Sequence, residues 1–64
     1  MTSTANTYDP YRHAASLGIR IVEAQPPAGT LALWDEQTRT ILTAPGLLWR
    51  QRRCVIAHEL AHAI

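Results

Sequence analysis

A chain of 64 residues makes one domain at most, and a domain of that size buries only about 60% of its unfolded surface, so a disulfide, a metal or a partner usually holds it. The single cysteine, Cys54, excludes an intramolecular disulfide and fits a reducing compartment. Composition is globular, at 47% hydrophobic and 17% charged residues, and a net charge of +1 gives no reason to expect a nucleic-acid or anionic-membrane partner.

Residues 1–8 are polar and Thr-rich and read as a flexible tail, with neither the basic nor the apolar region of a secretion signal. No apolar run approaches the roughly 18 residues of a membrane span, so the expectation is a soluble, cytoplasmic protein. Residues 9–64 form the domain. Asp9-Pro10 is a helix-start signal, an acidic cap followed by proline at the first helical position, and the short helix closes on Gly18. Ile19–Ala24 is β-branched and long enough for a strand, which Pro26-Pro27 ends. Thr30–Trp34 alternates, with Leu31 and Leu33 on one face and Ala32 and Trp34 on the other. Arg39–Thr43 answers it across Asp35–Thr38, a polar connection suited to an antiparallel hairpin.

From Leu47 to Ile64 there is no Gly or Pro, and the pattern is helical. At about 100° per residue, Trp49, Ile56, Ala57, Leu60, Ala63 and Ile64 share one face, while Gln51, Val55, His58, Glu59 and His62 lie roughly opposite. Trp34 and Trp49 read as core anchors. Arg50, Arg52 and Arg53 read as a solvated face.

The stretch His58-Glu59-Leu60-Ala61-His62 carries the chemistry. Histidines at i and i+4 sit one helical turn apart on one face, about 6 Å along the axis. Two imidazole nitrogens so placed can reach one Zn2+ ion at about 2.0–2.1 Å each. Glu59 is rotated about 100° from His58, so it misses the ion but can take a proton from a water whose pKa zinc lowers to around 7. The same carboxylate can return that proton to a leaving amine, as peptide-bond hydrolysis requires. Five residues thus offer two metal ligands, His58 and His62, and a catalytic acid/base, Glu59. The flanking Val55-Ile56-Ala57 and Ala63-Ile64 are uncharged, which suits a buried helix whose only polar residues are ligands and base.

The segment Gln51–Ala63 resembles the metal helix of the ImmA/IrrE family of metallo-endopeptidases. Upstream, Asp9-Pro10-Tyr11, Leu17-Gly18-Ile19 and Leu31-Ala32-Leu33-Trp34-Asp35 are similar to that family's N-terminal half. The resemblance covers nearly all of residues 9–64 and is most specific in the helix. It implies an α+β class, the zincin-like N-terminal part: a helix, a three-stranded mostly antiparallel sheet, then the HExxH metal helix. It also implies Zn2+ held by His58 and His62, Glu59 as acid/base, and a peptidase acting inside bacteria or from phages and mobile elements on a protein substrate, often a helix-turn-helix repressor. It further suggests the strand around Leu42 as an exposed edge on which a substrate peptide adds.

One departure stands beside the match. Such zincins take an acidic third ligand from a helix well downstream, and here only Ala63 and Ile64 follow His62, so the chain reads as truncated after its metal helix. Cys54, His58 and His62 form one row, but residues 54 and 62 are about 12 Å apart along the axis, so all three cannot close on one ion. Cys54 therefore reads as a small packing residue. His13 and Asp35 could approach the pair in three dimensions, and no spacing selects either. The alternative is a non-enzymatic regulatory or interaction protein derived from a peptidase half.

Overall fold

The computed structural model describes residues 8–64; most of the expected tail, residues 1–7, lies outside them. Helix α1 spans Pro10–Ser16 and starts as its sequence dictates: the Asp9 carboxylate accepts hydrogen bonds from the backbone N–H groups of Tyr11 and Arg12 at 2.9 and 3.3 Å. It ends in a Schellman turn. Ile19 N–H donates to the Ala14 carbonyl at 2.9 Å and Gly18 N–H to that of Ala15 at 3.1 Å, with Gly18 at φ +72°.

Strand β1, Arg20–Glu23, follows. The two prolines then turn the chain through a short 3-10 segment, Pro27–Gly29, braced by the Gln25 side-chain amide, which donates to the carbonyls of Pro26 and Thr30. Strands β2, Ala32–Asp35, and β3, Thr40–Thr43, form the expected antiparallel hairpin. Asp35 Oδ1 shapes its turn by accepting from the N–H groups of Gln37 and Thr38 at 3.0 and 3.4 Å.

The sheet order is β1-β3-β2, and β1 runs parallel to β3. The class is therefore α+β as expected, but the sheet is mixed and not mostly antiparallel: one of its two ladders is parallel. The reason lies in the two connections. Four residues joining β2 to β3 leave room only for a hairpin, whereas the longer Pro-broken link from β1 carries the chain past the position that β3 then fills. A second expectation falls with it. The strand around Leu42 is β3, paired on both sides, so its backbone offers no free edge; the edges are β1 and β2.

Helix α2, Trp49–Ala63, packs on β2 and β3, and α1 packs on β1 and on α2. Both helices lie on the sheet face that carries Ile21, Trp34 and Ile41. Ala14, Ile19, Ile41, Ile56 and Leu60 form the buried core there, with Ile21, Trp34 and Ala63 packed against it. Trp34 is thus a core residue as expected, but Trp49 is not: it is 69% exposed. A helix of 15 residues is about 22 Å long and a four-residue strand about 13 Å, so the ends of α2 overhang the sheet. Ile64, 78% exposed at the other end, departs from the predicted face for the same reason. No helix among the described residues is long and apolar enough to cross a membrane.

Candidate metal centre

Helix α2 holds its position through side chains from both layers. Ile56 and Leu60, fully buried, press its inner face on the sheet. Arg52 forms an ion pair with Glu23 of β1 at 3.0 Å, and Arg53 donates to the Tyr8 carbonyl. The arginine cluster is thus only partly a solvated face: two of its members tie the helix down, while Arg50 lies 5.7 Å from the Trp49 ring.

On the outward face the two histidines meet. His58 Nε2 and His62 Nε2 are 3.2 Å apart, with ring centroids at 4.8 Å and planes inclined by 74°. Both side chains are exposed. Two zinc–nitrogen bonds of about 2.0–2.1 Å at a tetrahedral angle set their nitrogens about 3.3 Å apart, so the observed spacing fits one ion taken in a bidentate grip. Helical periodicity brings the rings to one face, and the same 3.2 Å spacing is that of a hydrogen bond between the two Nε2 atoms when one of them carries the proton. Glu59 follows His58 on the half-buried flank of the helix, and the ion pair found among the described residues, Arg52–Glu23, does not involve it. Among the described residues its carboxylate is in no ion pair.

No family model, curated protein or solved structure matches the chain.

Further donors are not gathered at the pair. Among the described residues no group of three His, Cys, Asp or Glu side chains is placed to hold a metal ion. Cys54 precedes His58 by one turn but does not join it; the thiol is exposed, which also corrects its reading as a packing residue. The same side of α2 that presents the histidines carries it into solvent. His13 is engaged elsewhere, its Nδ1 2.6 Å from the Tyr8 hydroxyl, and Asp35 holds its own turn through Oδ1. The Tyr8–His13 contact belongs to a separate surface groove of about 560 Å³ lined by Tyr8, Asp9, Arg12, His13 and Ser16, which contains none of the three HExxH side chains. Nothing in the sequence marks that contact, because Tyr8 reads as the last residue of a polar tail.

Proposed function

We propose that the chain carries the metal-gripping and acid/base part of a zinc-dependent endopeptidase centre. The observation that supports this reading best is the 3.2 Å convergence of His58 and His62 Nε2 on an exposed helix face, with Glu59 beside them. Zinc, when bound, polarises a carbonyl and lowers the pKa of water. The chain's residues would do the rest. His58 and His62 orient the ion, and their helix is fixed by Ile56 and Leu60 beneath it. Glu59 takes a proton from the attacking water and delivers it to the leaving amine. The family resemblance points to a protein substrate, a helix-turn-helix repressor in particular, and the sheet edge nearest α2 on which such a peptide could add is β2, not β3.

A second reading has its own support, the absence of a third donor group among the described residues. A two-ligand grip binds zinc more weakly than the three-ligand set of catalytic sites, and a protein with such a grip could act by binding alone.

One pair of variants separates the readings. Zinc titration by calorimetry is expected to give one site, with His62→Ala weakening it by at least about tenfold. Glu59→Gln is expected to leave that affinity unchanged while abolishing cleavage of the peptide substrate. Cleavage that survives Glu59→Gln excludes the peptidase reading. Failure to bind zinc, with a repressor still bound, favours the second.

A further inference from the structure

With α1 and α2 on one side, no helix or strand among the described residues covers the opposite face of the sheet. The ladder registers place two rows of side chains across it: Arg20–Thr40–Asp35 and Val22–Leu42–Leu33. The second row is apolar on all three strands. Val22 is 41% exposed and Leu33 39%, and Leu31, two residues before Leu33, is 49% exposed. A sheet face that meets solvent ordinarily carries polar residues, alternating with the apolar ones that face the core. This face therefore has the composition of a covered one.

The first row indicates what covers it. Arg20 and Asp35 stand at opposite ends, two strands or about 10 Å apart. Among the described residues neither is in an ion pair. A two-fold axis running along β3 lays a second sheet on the first with its edge strands exchanged. Arg20 then faces Asp35 of the second copy and Asp35 faces its Arg20. In the next row Val22 meets Leu33 and Leu42 meets Leu42. A two-fold axis across the strands brings no such opposite charges together, so the charge pattern selects one orientation. Aligned sheets cross at about −30°, an offset the long Arg20 side chain can span.

We infer that the open sheet face is the docking surface for a second copy of this chain, in an isologous dimer with its axis along β3. Two Arg20–Asp35 pairs close the ends of a Val22, Leu33 and Leu42 centre. Three short strands give an interface at the small end of the known range, so the dissociation constant is expected to be on the order of 0.1 mM. The helices remain on the outer surfaces and the histidine pair remains free, so the inference is independent of the proposed activity.

The test is sedimentation equilibrium of the 64-residue chain in EDTA, from about 10 µM to about 1 mM. A monomer–dimer equilibrium is expected, and EDTA removes any bridging of copies through His58 and His62. Arg20→Gln and Asp35→Asn are each expected to weaken dimerisation about 2- to 30-fold, with the double variant little worse than either, because both changes remove the same two pairs. Asparagine keeps the oxygen that accepts from Gln37 and Thr38, so the hairpin turn survives. Val22→Lys, on an exposed edge position, is expected to weaken the dimer tenfold or more, on the order of a lost central contact. A chain that is monomeric at all concentrations with native circular dichroism overturns the inference. So does a dimer indifferent to these three changes, or one that Trp49→Ala dissociates instead, which would place association at the exposed start of α2.

Discussion

Thr43 shows how a single residue in this small domain can be better explained by position than by type. Its side chain is wholly buried, on the sheet face beneath the helices, and among the described residues its hydroxyl has no hydrogen-bond partner. A buried hydroxyl left unpaired costs about 1–3 kcal/mol. Thr43→Val keeps the shape and the β-branch and is expected to raise stability by about 1 kcal/mol, read as a higher urea midpoint; a lower midpoint would mean that the hydroxyl is bridged. At this scale the sequence was most legible where spacing alone decides. His58, Glu59 and His62 are five positions on one helix, and helical rotation fixes their relation without reference to the rest of the fold. Trp49 was misread because a helical wheel says which residues share a face but not how far along the helix that face is covered. Trp49 lies at the helix end that the sheet does not reach, whereas Cys54 lies on the outward face with the histidines and was misread from its residue type. The Tyr8–His13 contact was not legible at all, since it depends on how the chain enters α1.

Among the elements, the helices differ in how well their ends are closed. Helix α1 has an acidic cap, a first-turn proline and a left-handed glycine after its end, all readable in advance. Helix α2 begins at Leu48, whose side chain has no acceptor to offer. Only the reverse half of a capping box is present, the Gln51 side chain accepting from Leu48 N–H at 3.2 Å. Leu48 is 68% exposed and has extended backbone angles, so serine fits there without loss of packing. Leu48→Ser is expected to complete the box and to stabilise by about 0.5–2 kcal/mol, measured as a raised unfolding temperature at unchanged helix content. No gain would indicate that the first turn is already satisfied by other means. The strands were legible as elements, but their order was not. The short polar link fixes β2 against β3, whereas nothing in the Pro26-Pro27 segment says on which side β1 must lie.

Among the described residues, the core cluster is five buried apolar side chains contributed by α1, the turn after it, β3 and α2. A chain of 64 residues has about 3–10 kcal/mol of stability to lose. Ile56→Ala removes a fully buried side chain from the centre of that cluster and is expected to cost about 2–5 kcal/mol. Its unfolding temperature, followed by circular dichroism, should fall by about 10–40 °C, and a cooperative melt close to that of the parent chain would mean that the cluster is not the core. The mixed sheet has a further consequence, in time. The hairpin ladder joins residues as close in sequence as Asp35 and Thr40, whereas the parallel ladder joins Arg20 to Thr40 across twenty positions, a larger loop to close. The central strand therefore gains its near neighbour first and its far neighbour last, and β1, with α1 behind it, docks on a hairpin already formed. Truncating Leu33 should then slow refolding, while truncating Val22 should chiefly speed unfolding. The reverse pattern in stopped-flow measurements would show that the long loop closes before the short one. On this order of events, the last strand to arrive is the one whose Glu23 anchors Arg52 of the helix bearing the histidines.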